Sequence, residues 1–385
     1  MLVSILSIIK WEYSDNMSNE KLILFFFVGT EAELIKVFPI IIEAKKQGLN
    51  YYIVASGQND IVNSKILSTI NCGKVDLELS LEKNIKKSAI GLLTWWIKTY
   101  KSSVKQFYRA FPNVDFANSK MIVHGDTVST YMGALIGKKL GMTVCHVEAG
   151  LRSHNLLSPF PEEIDRLLTS KIAKVHFAPG DEPCNNLKKA KGRVVNTIQN
   201  TLIDSLNYSN TIPVENEKIK KIISTDYFVF VMHRQENLVN KTFVTDIIKE
   251  ITNAAKNKKC IILLHKITEN AFMKYGLMDV LNNHENIEML PRVDYFDFMK
   301  LLQNSAFVIT DGGSNQEELY YMNKPCLILR KTTERSEGLG INARLFNGSA
   351  SDIREFIKEV QGKTVISEKA NIAYPSKRIV DILIN

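Results

Sequence analysis

Three short segments hold a high density of proton-handling side chains: Val123-His124-Gly125-Asp126-Thr127, then Cys145-His146-Val147-Glu148-Ala149-Gly150-Leu151-Arg152-Ser153, then Ser158-Pro159-Phe160-Pro161-Glu162-Glu163-Ile164-Asp165-Arg166. Together they carry two Asp, three Glu, two His and two Arg. Apolar, β-prone residues precede the first two clusters, so the run reads as strand, polar loop, helix, strand, polar loop. In an open parallel sheet, loops leaving the carboxyl ends of strands converge on one crevice. Asp126 and Glu148 are therefore expected to approach each other. Carboxylates sharing a cleft push their pKa values apart, as general acid–base chemistry requires. The structural alternative makes Asp126 and Glu148 loop caps and Glu162 with Arg166 a surface pair at i,i+4.

A second constellation lies at Asp311-Gly312-Gly313-Ser314-Asn315-Gln316-Glu317-Glu318. Two glycines let backbone N–H groups approach a phosphate, and the following helix offers the positive end of its dipole. A Glu early in such a helix repels phosphate but accepts hydrogen bonds from ribose hydroxyls. The motif thus suggests a nucleotide diphosphate on Gly312, Gly313 and Ser314, with its ribose toward Glu318. The alternative is a tight turn and a capped helix. No Lys of the P-loop type is present, which argues against ATP hydrolysis.

These loops need strands to position them. Leu22 to Val28 reads as a buried strand closed by Gly29-Thr30, followed by a helix from Glu33 to Lys45 that Pro39 should bend or delay. The turn has one Gly, so it is not the dinucleotide fingerprint. Gly29 and Lys36 could face an anion there; a solvated helix Lys explains the spacing equally well. Further strands are expected at Tyr51 to Ala55, Met121 to Val123, Met142 to His146, Val175 to Pro179 and Arg193 to Val195, with a helix from Tyr131 to Leu140. Residues 82 to 110 form an aromatic, basic, amphipathic stretch around Trp95 and Trp96, with Lys98, Lys101 and Lys105. Such a helix either lies on a membrane surface, receives a partner, or packs on the sheet with its lysines in water.

The pattern weakens from Gln199 to Lys221, and a second βα series follows. Its strands at Tyr227 to Met232, Cys260 to Leu264, Ile287 to Leu290, Phe307 to Thr310 and Pro325 to Leu329 end in polar loops. His233, His265, Arg292 and Arg335 stand in or beside them, and five such loops pointing one way define a ligand crevice. Helices at Ser351 to Gln361 and Ser376 to Ile384 finish the chain.

The totals bound the function. A chain of 385 residues holds two ordinary domains. We expect an extension over 1–20, Rossmann-like domains over 21–205 and 206–365, and a final helix in 366–385 that packs back toward the first domain. A net charge of +8, from 49 basic and 41 acidic residues, suits an anionic ligand but is too diffuse for nucleic acid. The five cysteines have no zinc spacing and read as reduced cytosolic thiols. The apolar opening, Met1 to Ile9, is too short to span a bilayer and lacks a signal-peptide pattern. Met17 offers an alternative start.

The motifs together resemble the bacterial UDP-N-acetylglucosamine 2-epimerases. The resemblance rests on His124-Gly125-Asp126-Thr127, His146-Val147-Glu148-Ala149-Gly150-Leu151-Arg152, Pro161-Glu162-Glu163-Ile164-Asp165-Arg166, His233-Arg234-Gln235-Glu236-Asn237, Gln316-Glu317-Glu318 and Thr332-Thr333-Glu334-Arg335, in order from about residue 22 to the end. It implies an α/β GT-B fold, two Rossmann-like domains with parallel sheets facing across a central cleft. It implies a reaction that eliminates UDP across C1–C2, forms a 2-acetamidoglucal, and adds UDP back with C2 inverted. Asp126, Glu148 and Glu162 match the family's catalytic carboxylates, and Arg166 and His233 match assisting residues. Gly313, Ser314 and Glu318 match the UDP site, with Arg335 in the phosphate region. The resemblance implies no metal and no cofactor, a UDP-sugar substrate, a cytoplasmic homodimer, no nucleic acid and no stable membrane insertion.

The departures lie at the nucleotide and hinge positions. The usual Gly-Thr-Arg-Pro-Glu reads Gly29-Thr30-Glu31-Ala32-Glu33, a charge reversal where the family's Arg contacts nucleotide. Asp-Ser-Gly-Gly reads Asp311-Gly312-Gly313-Ser314, Gln199 replaces a Gly and Ser336 a Pro. Three readings compete: a non-hydrolysing 2-epimerase for surface polysaccharide, a hydrolysing relative that releases UDP and ManNAc, and a glycosyltransferase on the same scaffold.

Overall fold

The computed structural model describes residues 22–82, 88–155, 160–333, 337–361 and 374–385. The first series is β1 (Ile23–Val28), α1 (Glu31–Lys46), β2 (Asn50–Ala55), α2 (Lys65–Ile70), β3 (Leu77–Glu78), α3 (Ala89–Ala110), β4 (Ser119–His124), α4 (Val128–Lys139), β5 (Thr143–Val147), α5 (Glu162–Ile172), β6 (Val175–Ala178), α6 (Asp181–Asn186), β7 (Arg193–Asn196) and α7 (Leu202–Thr211). The second is α8 (Glu217–Ile223), β8 (Tyr227–Val231), α9 (Gln235–Leu238), α10 (Lys241–Ala255), β9 (Lys259–Leu264), α11 (Lys266–Tyr275), α12 (Met278–Asn282), β10 (Ile287–Pro291), α13 (Tyr295–Asn304), β11 (Val308–Thr310), α14 (Gly313–Tyr321), β12 (Cys326–Ile328), β13 (Ala343–Leu345), α15 (Ser351–Gln361) and α16 (Pro375–Ile384). The chain divides into two compact units after Ser205, with α16 returning to the first.

Each unit is a doubly wound parallel sheet. The first has seven strands in the order β3-β2-β1-β4-β5-β6-β7, the second six in the order β10-β9-β8-β11-β12-β13. Their central strands read as continuous apolar runs because helices cover both faces. In β1, Leu24, Phe25, Phe26 and Val28 are fully buried. Phe25 packs edge-on against Phe111 at 5.1 Å and beside Phe107 at 5.7 Å. In the second unit β8 is buried throughout, and Phe228 stacks on Phe307 at 4.9 Å.

Several expectations change. Pro39 lies inside α1, which runs on unbroken from Glu31. Proline removes the N–H that would bond the carbonyl of Ile35. That carbonyl instead accepts from the Ser205 hydroxyl at 2.5 Å, and the next one, of Lys36, accepts from Thr201 Oγ1 at 2.6 Å. The weak stretch from Gln199 is mostly helical, in α7 and α8, with 199–201 and 212–216 irregular. β3 and β13, with two and three residues, were too short to show alternation. α16 joins the first unit through the Ser376 amide to Asp204 at 2.7 Å, the Gln47 amide to Asp381 at 3.1 Å and the Lys120 ammonium to the Leu383 carbonyl.

The aromatic helix α3 packs on its sheet. Trp95 is fully buried, and the Trp96 indole N–H donates to the Val128 carbonyl at 2.9 Å while its ring stacks on Tyr100 and Tyr131. Lys98, Lys101 and Lys105 are exposed. Among the described residues no helix is long and apolar enough to cross a membrane. The apolar opening, Met1 to Ile9, and Met17 lie outside the described residues.

Gly133 in α4 shows how tightly the helix seats. A Cβ there would lie 2.6 Å from the Phe27 ring and 2.9 Å from Val123 Cγ1. Alanine in a helix interior gains up to about 1 kcal/mol over glycine. Overpacking a fixed ring costs about 1–3 kcal/mol. Gly133→Ala is therefore expected to lower the urea midpoint of the first unit; an unchanged or higher midpoint would show that the ring gives way.

Candidate active site

In the first unit, β1 and β4 are neighbours although β2 and β3 intervene in sequence. The sheet order reverses there, and ligands of such sheets bind outside the carboxyl ends of strands at that point. Gly29-Thr30 leaves β1, and Gly125-Asp126-Thr127 leaves β4. Glu33 joins the two loops. Its Oε2 accepts from the amides of Gly29 at 2.5 Å and Thr30 at 3.1 Å, and its Oε1 accepts from the hydroxyls of Thr127 and Thr130. Thr30 Oγ1 returns the bond from the Glu33 amide, which closes a capping box. Burial pushes the Glu33 carboxyl up to about 7, against these hydrogen bonds, with Asp126 adding to the rise.

The β4–β5 register places His124 opposite Val147, and the Gly125 amide bonds the Val147 carbonyl at 3.0 Å. Glu148 therefore emerges beside Gly125. Its backbone is left-handed, with φ at 60°, a conformation that costs a residue other than glycine about 1–2 kcal/mol. Its carboxylate is held by the Lys36 ammonium and the Asn200 side-chain amide, and His124 Nε2 lies 3.8 Å away. The Lys36 and Glu148 side chains are 9% and 8% exposed. Breaking a buried pair of this kind costs about 3–5 kcal/mol. Burial lowers His124 to about 3, against the pull of Glu148, and lowers His146 to about 4. Both rings are neutral near pH 7. His146 Nε2 faces the Gly125 carbonyl at 2.7 Å, so that nitrogen carries the proton.

α5 supplies the third cluster. Arg166 donates to Asp126 and, at 3.3 Å, to Glu163 Oε2. Glu163, 1% exposed, also takes Arg152 Nε at 2.7 Å and the Ser153 amide at 3.0 Å. Burial would raise this carboxyl, but those donors outweigh it and hold it below the usual range. Among the described residues, Glu162 Oε2 and Asp165 Oδ2 are buried without a hydrogen-bond partner. Burial, then the charges of Asp126 and Glu162, push Asp165 up to about 7. Two readings are corrected here. Arg166 turns to Asp126 and Glu163, not to Glu162 on the surface. Lys36 meets Glu148, not an open loop.

The second unit reverses its order between β8 and β11. Asp311, fully buried, accepts from the His233 amide at 2.9 Å, the Arg234 amide at 2.9 Å and the Asn237 side chain at 3.1 Å. The loop after β8 is thereby pinned to the end of β11. His233 Nδ1 lies 3.3 Å from Asp311 Oδ1, and its ring stacks on His265 at 4.7 Å. Burial lowers His265, and His233 and Arg292 add to it. A Cβ on Gly312 would lie 2.4 Å from Asn315 Oδ1 and 3.1 Å from His233 Cε1. Gly312 is thus required for close packing, and its amide is taken by Thr310 Oγ1 at 3.0 Å. Likewise the Gly29 amide belongs to Glu33. Neither glycine offers its N–H as the sequence suggested. Gly313 and the exposed Ser314 open α14, whose start has no side-chain cap. Glu318 lies in the second turn of α14, deeper than expected, 4% exposed and bonded by Asn315 Nδ2 at 2.9 Å. Arg292 is exposed just after β10. Arg335 lies outside the described residues.

Sequence reasoning overlooked Glu33, Asn200 and the pinning role of Asp311, and gave His124 and Asp165 no role of their own. The Thr30-to-Glu33 spacing of a capping box was a usable signal for the first. Nothing in the pattern links Asn200 to Glu148. Among the described residues no group of three or more His, Cys, Asp or Glu is arranged to hold a metal ion.

The chain is similar to known proteins along most of its length. Residues 42–383 match the family model described as UDP-N-acetylglucosamine 2-epimerase. A UDP-N-acetylglucosamine 2-epimerase of Methanococcus maripaludis is 31% identical over 333 residues, 84% of this chain and 87% of the relative. The crystal structure of the Methanocaldococcus jannaschii UDP-GlcNAc 2-epimerase, in complex with UDP-GlcNAc and UDP, superposes with a TM-score of 0.75 at 27% identity, covering 94% of this chain and 99% of that one. The Neisseria meningitidis UDP-GlcNAc 2-epimerase bound to UDP-GlcNAc gives 0.75 at 28% identity, with the same coverage. The two parallel-sheet units are those of a GT-B fold.

The raised Glu33 carboxyl makes stability depend on pH. A group whose folded pKa exceeds its unfolded value stabilises fully below the unfolded value, here 4.5, and loses that contribution as pH rises through about 7. The span corresponds to roughly 3 kcal/mol at most. Across this window wild type is expected to lose stability relative to Glu33→Gln, read as diverging urea midpoints of the first unit. Parallel midpoints at every pH would contradict the assignment.

Proposed function

The chain belongs to the UDP-N-acetylglucosamine 2-epimerase family, and on that premise we propose that it interconverts UDP-GlcNAc and UDP-ManNAc, or a related UDP-HexNAc pair, without releasing free sugar. The reaction eliminates UDP across C1–C2 and adds it back with C2 inverted. It needs a base to remove the C2 proton, an acid to return one on the other face, and positive groups for the departing diphosphate. The observation that carries the reading is Glu148. It is a carboxylate in strained backbone, fixed by Lys36 and Asn200 next to the loop that presents Asp126. Strain of this kind persists where the surroundings enforce it, commonly at active sites.

We assign proton transfer to Asp126, Glu148 and Glu162, with Arg166 fixing Asp126. We assign the nucleotide to Gly313, Ser314 and Glu318, and support of the diphosphate to His233, His265, Arg292 and Arg335. Gly29, Gly312 and Lys36 act indirectly, by shaping their loops and orienting Glu148. Glu31 opens α1, where a negative charge complements the helix dipole. It cannot serve a diphosphate as an Arg would. On the family resemblance we also propose a cytoplasmic homodimer that feeds surface-polysaccharide synthesis.

Proton NMR of UDP-GlcNAc with the protein in D₂O tests the reading. Loss of the C2 proton signal with growth of UDP-ManNAc is expected. Free ManNAc with UDP would replace it by a hydrolysing reaction. No exchange with any UDP-HexNAc, and sugar transfer to an added acceptor, would replace it by a transferase. Glu148→Gln and Asp126→Asn are each expected to lower kcat by about 100-fold or more, with circular dichroism unchanged. Near-wild-type turnover in both would remove these residues from the chemistry.

A further inference from the structure

One face of α5 carries more acid than the site has cations to match. The helix presents Glu162, Asp165, Arg166 and Thr169 at i, i+3, i+4 and i+7, spacings that share a face. The cations of the first unit's site are each engaged: Lys36 with Glu148, Arg152 with Glu163, and Arg166 with Asp126 and Glu163. No cation pairs with Glu162 or Asp165 among the described residues. Asp165 is 6% exposed, and its Oδ2, like the Glu162 Oε2 and the Thr169 hydroxyl, is buried with no hydrogen-bond partner among the described residues. An ionised carboxylate so placed would lie buried without a counter-charge, and a group in that position takes up a proton instead.

We propose that Asp165 is a positioning residue that remains protonated while the enzyme works, so that Asp126 and Glu162 can act as the charged carboxylates beside it. The proposal rests on the epimerase reading above. The groups that face Asp165 agree with it. From the loop after β4 comes Asp126, and from the same helix Glu162, with Glu163 and Arg166 already paired. From α4 comes Tyr131, a phenol whose pKa burial raises, so it brings no positive charge. Every charge near Asp165 other than Arg166 is negative or absent. Burial and the two acidic neighbours push its carboxyl up to about 7. Ionising it adds a third charge against Asp126 and Glu162, which loosens the hold of Arg166 on Asp126 and switches the site off from the alkaline side.

Asp165→Asn keeps the shape and removes the titration. The first readout is kcat/KM for UDP-GlcNAc epimerisation across neutral and alkaline pH. Wild type is expected to fall about tenfold per unit above its apparent pKa, while Asp165→Asn holds its rate there and stays within about threefold of wild type on the acid side. A profile that falls in parallel in both proteins overturns the proposal. A uniform drop at all pH values also overturns it, since that marks a structural role alone. The second readout needs no substrate: ¹³C NMR of protein labelled at the Asp carboxyl carbons. A resonance that titrates near neutrality and vanishes in Asp165→Asn is expected. An Asp165 resonance titrating in the ordinary carboxylate range overturns the proposal. If no UDP-sugar turns over, the epimerase reading fails, and the carboxyl titration still decides the state of Asp165.

Discussion

A charge taken out of water must meet an opposite charge or lose its ionisation. That constraint organises the first unit's site. Six carboxyl groups crowd the ends of β1, β4, β5 and the start of α5, and five of them resolve into two kinds. Glu148, Glu163 and Asp126 take Lys36, Arg152 and Arg166. Glu33 and Asp165 stand with no cation and are pushed toward neutrality. The space is small enough for both Asp126 and Glu148 to act on Arg166. The neutral acids take no share of the proton transfer; by staying uncharged they leave the site's cations to the carboxylates that do.

The second unit meets the same constraint with backbone in place of cations. Asp311 collects two amides and a side-chain amide from the loop after β8, so a buried carboxylate becomes the knot that fixes His233. The stacked His233 and His265 and the open start of α14 then occupy the switch point of the sheet. Both units thus use the same geometric feature, the reversal in strand order, to bring together residues distant in sequence.

Strand ends were the most legible part of the chain. Runs such as Leu-Phe-Phe-Phe-Val before Gly29, or Val-Ile-Thr before Asp311, mark buried parallel strands because both faces are apolar and the polar loop begins abruptly. The polar clusters after β4 and β5 followed from that, and their loops do converge. Direction of contact was not legible. Whether Arg166 reaches Glu162, Glu163 or Asp126 depends on the packing of α5 against α4, and the i,i+4 rule alone chose the wrong partner. Asn200 stayed hidden because its role depends on a contact across 52 positions of sequence. Gly29 and Gly312 looked like phosphate cradles because a glycine's sequence context does not show whether its amide is already bonded. The short edge strands β3 and β13 lacked enough residues to show any period.

Pro39 has a consequence for how the site comes into being. It leaves a carbonyl of α1 without its helical donor, and that group is met by Ser205, while Thr201 bonds the carbonyl of Lys36 itself. Asn200 stands just before them and reaches Glu148, the same carboxylate that Lys36 holds. The two residues that grip Glu148 are therefore fastened to each other through main-chain oxygens, and the fastening needs the chain as far as Ser205. During synthesis, the strands of the first unit and the carboxylates of this site leave the ribosome before this clasp exists. Glu148 reaches its final surroundings only when Asn200, Thr201 and Ser205 have folded back onto α1. A nascent chain cut short of them would hold the strands and every carboxyl group of this site, yet have no completed clasp on Glu148.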